Sequence, residues 1–298
     1  MSLYHLLLQP FVDYGFMRRA LLACLALSLG CGPIGVLLVL RRMSLMGDAM
    51  SHAILPGAAI GFLIAGLSLP AMSLGGLIAG LAVALTAGAV SRATKLKEDA
   101  SLAGFYLTSL ALGVLIVSSR GSNVDLLHVL FGSILSVDMP ALILVAAISA
   151  VTLATLAVIY RPLIVECFDP GYLRAVGGNG PLFHGIFLTL VVLNLVAGFQ
   201  SLGSLMAVGL MMLPATAARL WARDVVSLFI VACGIAFGSG YIGLLASYHL
   251  NLASGPSIIF VAGLAYFGSI VLGRNGGLIQ TYFPPPHFHN QPAEHGRL

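Results

Sequence analysis

The sequence predicts an all-α, polytopic membrane protein with about eight to nine transmembrane helices, and three observations carry that reading. Of its 298 residues, 59% are hydrophobic and only 8% are charged, whereas a soluble globular domain carries roughly a quarter of charged residues. Mean hydropathy is +1.03. Apolar runs of about 18 to 22 residues recur from end to end, the length that crosses a ~30 Å hydrocarbon core as α-helix. The formal charge of +4 calls for no nucleic-acid partner, because basic loops are what membrane orientation requires. Cys24, Cys31, Cys167 and Cys233 lack C-x-x-C spacing, which argues against a disulfide framework and against a thiolate metal site.

Residues 1–20 have no positive region ahead of their apolar stretch, and Arg18 and Arg19 follow it. They read as a retained interfacial segment rather than a cleaved signal peptide. Spans are expected near 20–40, 46–66, 71–91, 102–119, 140–160, 182–200, 203–220, 225–246 and 256–273. The 203–220 run suits either a ninth crossing or a segment buried against its neighbours. If loop 161–181 is cytoplasmic, eleven of the fourteen basic residues fall inside, and Arg18, Arg19 and Arg120 fall outside. The amino terminus is then out and the carboxyl terminus in. Small-residue pairs at helical spacing, Gly57/Gly61, Gly76/Gly80 and Gly234/Gly238, fit close helix contact in lipid. Residues 1–276 form the membrane domain. The tail 277–298 is proline-broken and polar, so disorder is expected. Its His287, His289 and His295 suit weak metal binding or a plain tail.

The acids localise the chemistry. Asp13, Glu98, Asp99, Asp125, Asp138, Glu166, Asp169, Asp224 and Glu294 fall in loops, span edges or the tail, and Asp48 alone lies in an apolar span. His52 follows it by four residues, one helical turn along the same face. A carboxylate with an imidazole is a plausible divalent-cation site; the plainer reading is a helix-start acid and a hydrogen-bonded core histidine. Depth favours the site. At ~1.5 Å per residue, His52 is about 15 Å and Asp48 about 9 Å from Arg42, and ionisable groups so deep usually mark an ion pathway. Pro56 and Gly57 come one turn later, and proline removes a donor. They suit a helix break near the site or an ordinary kink. His128 and His249 fall in outer loops, as solvated groups or as contacts for an arriving ion.

The longest polar interruption, 161–181, contains Glu166, Asp169, Pro170, Gly171, Tyr172, Leu173, Arg174, Ala175, Val176 and Gly177. Asp169 can cap a helix with Pro170 at its first position, and Gly177-Gly178 can end it. Such a helix suits docking onto another protein, or it is simply a structured connection. No G-x-x-x-x-G-K-[ST], H-E-x-x-H or G-x-S-x-G occurs, so the chain reads as a transport subunit rather than an enzyme, and any ATP hydrolysis belongs to a partner.

The run Arg41-Arg42-Met-Ser-Leu-Met-Gly-Asp48-Ala-Met-Ser-His52-Ala-Ile-Leu-Pro56-Gly57 closely resembles the signature of permease subunits of bacterial ABC importers for manganese, zinc or iron. The segments 129–135, 169–177, 208–219 and 247–256 are similar to further blocks of that family, in the same order. The resemblance implies a type II-like ABC importer permease in the bacterial inner membrane. It also implies a second copy of the chain, a cytoplasmic ATPase dimer and an extracytoplasmic metal-binding protein as partners. The residues matching Asp48 and His52 would form the metal site, and the loop matching 166–180 would be the coupling helix. No permanently bound cofactor is implied. His128 and the histidine-bearing tail depart from the pattern and inherit no role.

The expected mechanism is alternating access driven by the partner ATPase. Asp48 offsets lost hydration of the ion, and His52 favours a transition metal over Ca²⁺ or Mg²⁺. His52 must be neutral to ligate, so uptake should fall on acidification. The alternative is an ATP-independent channel or proton-coupled carrier using the same pair. One acid and one histidine do not select among first-row metals.

Overall fold

A computed structural model describes residues 3–66, 68–119 and 137–282. His128, the 129–135 block and the three tail histidines lie outside the described residues. Every regular element described is helical: α1 Leu3–Leu7, α2 Gln9–Asp13, α3 Gly15–Leu40, α4 Met46–Ala65, α5 Leu69–Ala93 and α6 Glu98–Ser119, followed by α7 Met139–Phe168, α8 Pro170–Ala175, α9 Gly180–Leu202, α10 Ser204–Ala218, α11 Val225–Leu250, α12 Ser254–Leu272 and α13 Leu278–Tyr282. Eight of these are long and apolar enough to cross a membrane. The chain is a multi-pass membrane protein.

Three expectations change. The 203–220 run folds as α10, 15 residues long, or about 22 Å at helical rise, which is too short for a full crossing. It is instead packed among α3, α11 and α12, with Met206, Leu210, Met211, Ala215 and Ala218 buried. Gly203, at φ 85°, makes the sharp reversal from α9 into it; that left-handed conformation is one glycine adopts freely. Second, the first crossing begins at Gly15, not near residue 20, and takes Arg18 and Arg19 into its first turns. Arg19 Nε donates to the Val137 carbonyl at 3.2 Å, and the short α2 stacks Phe11 on Tyr241 at 5.2 Å. Third, α7 runs 30 residues through Pro162, so residues 161–168 are helix, and the polar connection starts only at Asp169.

Caps account for several boundaries. Asp138, Asp169 and Asp224 accept from the backbone N–H groups of Ala141, Tyr172 and Ser227 at 2.8 to 2.9 Å, satisfying donors left over in a first helical turn. Asn179 does the same for Leu182 at 3.3 Å.

The core lies around α3, α4, α9 and α10, where Met17, Leu27, Ile34, Leu38, Met50 and Phe187 are fully buried. From Gly30 to Val39 α3 is buried on every side, as expected of a helix apolar all round at the centre of a bundle, while Leu22, Leu25 and Leu29 on its first half are exposed. Leu107, Leu115, Ile143, Val158, Ile230 and Phe260 are exposed, an apolar outer surface of the kind that suits lipid. The α4–α5 pair is the closest packed, because glycine admits backbone-to-backbone approach: a Cβ at Gly57 would stand 2.0 Å from the Gly75 carbonyl oxygen. The Gly234/Gly238 pair does not behave this way, and a Cβ at either would meet open space.

Candidate metal-ion site

The chain leaves α3 through Arg41 and turns at Arg42, whose φ of 61° is left-handed, before α4 starts at Met46. Asp48 therefore stands in the first turn of α4, where the helix dipole favours a carboxylate. His52 is one turn on. Its Nε2 lies 3.8 Å from Asp48 Oδ1, with the Asp48 side chain 66% exposed and that of His52 34% exposed. At that separation the two are not hydrogen-bonded. Two coordination bonds of about 2.1 Å span up to ~4.2 Å, so one ion can touch both.

Neighbouring groups set the imidazole. The ring of Tyr106 on α6 stacks over it, centroids 6.4 Å apart at 25°. The Ser109 hydroxyl donates to the Ala53 carbonyl at 3.3 Å, tying α6 to the same turn of α4. Behind the pair, the methyl ends of Met211 and Met212 on α10 pack against Gly47.

Pro56 and Gly57 do not break the helix; α4 continues through both to Ala65. Proline still leaves the His52 carbonyl without its helical donor, and Gly57 serves contact with α5 rather than bending. Among the described residues no group of three or more His, Cys, Asp or Glu side chains is placed to hold an ion. Among the described residues, the site thus offers two donors, on an open face.

In the polar connection, Asp169 caps α8 as its spacing predicts, with Pro170 in the first turn. Gly177, at φ 77°, lets the Gly178 N–H reach the Leu173 carbonyl at 2.8 Å. Leu173 is buried, while Phe168, Tyr172 and Val176, four residues apart, are exposed. Arg174 Nε donates to the Pro170 carbonyl at 3.2 Å. Gly171 and Ala175 complete this short helix.

Glu166 differs from that group, and Asp48 is not the sole acid within a span. Glu166 sits in the last turns of α7, buried, and accepts from Arg92 Nη2 at 2.9 Å. Around it lies a cluster that sequence reasoning missed. Arg41 donates through Nε to Cys167 Sγ at 3.0 Å and through Nη1 to His184 Nδ1 at 2.6 Å. Its guanidinium carbon lies 4.7 Å from the centre of the Phe187 ring, a cation–π distance. His184 Nε2 lies 2.7 Å from Glu98 Oε1. Since Arg41 can only donate, His184 Nδ1 accepts and its proton is assigned to Nε2, facing Glu98. These groups line a cleft of about 810 Å³ that Arg42, Lys97, Asp99 and Arg174 complete, at the basic end that the positive-inside rule assigns to the cytoplasm. His184 was visible in the sequence as an imidazole entering an apolar run, the same signal that marks His52.

The sequence profile of the ABC 3 transport family matches residues 13–273. The chain is 32% identical over 274 residues to the manganese transport system membrane protein MntC of Listeria innocua, covering 92% of this chain and 96% of that one. It is 29% identical over 269 residues to the chelated iron transport system membrane protein YfeD of Yersinia pestis, covering 90% and 89%. In three dimensions it resembles the structure of PsaBC from Streptococcus pneumoniae in complex with Fab, with a TM-score of 0.81 and 27% identity, covering 94% of this chain and 100% of that one.

Proposed function

We propose, from the premise that this chain belongs to the ABC 3 transport family, that it is the membrane-spanning subunit of an ATP-driven importer of a divalent transition metal. Relatives named for manganese and for chelated iron support that class of cargo, and zinc suits the same oxygen and nitrogen donors. The observation that carries the assignment to a site is the Asp48–His52 pair, 3.8 Å apart on an open face of α4. A carboxylate left facing lipid is costly, so that face is the junction with a second copy. Two pairs then supply four donors around one ion. Asp48 contributes the charge that replaces hydration, and His52, its ring held by Tyr106, contributes the nitrogen.

ATP is hydrolysed by separate cytoplasmic subunits that seat on α8. Tyr172 on α8, Phe168 at the end of α7 and Val176 just past α8 face outward and fit a groove in such a partner, while the buried Leu173 holds the helix to the membrane domain. An extracytoplasmic binding protein delivers the ion at the opposite end. Movement of α8 opens the path between the two copies alternately outward and inward.

The test is uptake of radioactive Mn²⁺ into proteoliposomes holding the permease, its ATPase and its binding protein. Asp48→Asn and His52→Ala should each lose ATP-driven uptake while still assembling with the ATPase. Undiminished uptake in both overturns the site, and ion flux from the permease alone, without ATP, overturns the ATP-driven reading.

A further inference from the structure

We propose that the charged cluster at the basic end is the latch through which movement of α8 reaches the helix bearing Asp48 and His52; the inference rests on the transport reading above and adds the residues that transmit it. α8 is suspended between α7 and α9, and residues beside its two attachment points, Cys167 and His184, are both gripped by one side chain, Arg41. Arg41 is also the last residue before the turn into α4, seven positions ahead of Asp48. Any displacement that pulls the end of α7 or the start of α9 acts on Arg41, and through it on the origin of α4.

Two further pairs tie in the rest of the sub-bundle. α4 packs chiefly on α5 and α6. The end of α5 is held to α7 by the Arg92–Glu166 ion pair, and the start of α6 meets α9 where Glu98 Oε1 lies 2.7 Å from His184 Nε2, a close approach without hydrogen-bond alignment. Thus Arg41 ties the α3–α4 turn to both α7 and α9, Arg92 ties α5 to α7, and Glu98 brings α6 against α9, all on the helices that carry α8. Their burial makes the tethers stiff. The Glu166 side chain is 5% exposed and that of His184 6%, while Arg92 at 35% and Glu98 at 26% face the cleft; breaking either contact strands a buried group, which favours two discrete arrangements over a sliding contact. The seat around Glu166 is tight as well: a Cβ at Gly180, the first residue of α9, would lie 2.5 Å from Glu166 Oε2.

These are positioning residues, so their test must separate coupling from folding. The complete transporter, with ATPase and binding protein, is reconstituted, and ATP hydrolysis and Mn²⁺ uptake are measured on the same vesicles. Arg92→Gln/Glu166→Gln leaves no unpaired buried charge, and Arg41→Lys keeps the charge but cannot span both Cys167 and His184. Both variants should retain ATPase capture and hydrolysis while the ATP consumed per ion rises about fivefold or more, the lower range of an allosteric coupling energy. The single variants Arg92→Gln and Glu166→Gln should combine non-additively in that ratio. A pair of purely structural importance would instead lower the melting temperature and reduce hydrolysis and uptake together at constant ATP per ion; that result overturns the latch. If unmodified transporter shows ATP-driven uptake abolished by Asp48→Asn and the latch variants keep the normal ratio, the latch alone falls. If unmodified transporter shows no ATP-driven uptake, the transport reading falls and takes the latch with it.

Discussion

Substituting Gly57 by alanine adds a single methyl at the tightest point of the α4–α5 contact. The new Cβ would stand 2.0 Å from the Gly75 oxygen, 2.5 Å from its carbonyl carbon and 2.6 Å from Ala79 Cβ. None of these is the free end of a flexible side chain. Restoring ordinary contact at 3.4 Å therefore moves one helix axis by about 1.4 Å, and overpacking of this kind costs about 1–3 kcal/mol. Gly57 lies five residues beyond His52 on the same rod, so the shift carries the imidazole with it. A misplacement of roughly 1 Å at a reacting centre can cost about a hundredfold, and a loss of ten- to a hundredfold in Mn²⁺ uptake is expected. Gly104→Ala is the matched control, because a Cβ there meets nothing within 4 Å. Thermal unfolding of purified permease and initial uptake rates in proteoliposomes are the measurements. If Gly57→Ala melts and transports like Gly104→Ala, the close-contact argument is wrong.

Tyr106→Ala removes the ring stacked on His52, so the apparent KM for Mn²⁺ should rise about tenfold, in the range seen when outer-shell partners of metal ligands are lost, whereas Tyr106→Phe keeps the ring and should leave KM unchanged. Asp224→Ala removes the cap of α11. The backbone N–H and hydroxyl of Ser227 hold the Asp224 carboxyl below its usual range, so the folded state favours the ionised form. The stabilisation is present at neutral pH and lost as pH falls through the lowered value. The gap in melting temperature between parent and variant should be constant above about pH 5 and close below about pH 4; a gap that widens on acidification contradicts the assignment.

The spans were legible because long apolar runs between charged breaks have one stable solution in lipid. What escaped the reading did so for local reasons. Arg161-Pro162 looks like a boundary, yet α7 continues for six residues beyond Pro162, since proline costs a helix one hydrogen bond without obliging it to stop. The 203–220 run is apolar enough to cross, and only the structure shows that its helix stops at Ala218, after 15 residues. Small-residue spacing marked Gly57 and Gly234 alike, but spacing does not say which face meets another helix. Asp48 and His52 were legible as a local pair on one turn. The cluster around Arg41 was not, because its contacts join positions 126 and 143 residues apart; only His184, an imidazole in an apolar run, announced it.

The open setting of Asp48 also bears on how the protein is made. If a second copy covers this face as proposed, a newly inserted subunit would carry Asp48, in the first turn of α4 and 66% exposed, without that cover. On that proposal, solitary copies are the less comfortable species in the bilayer and pairing is encouraged from the moment of synthesis.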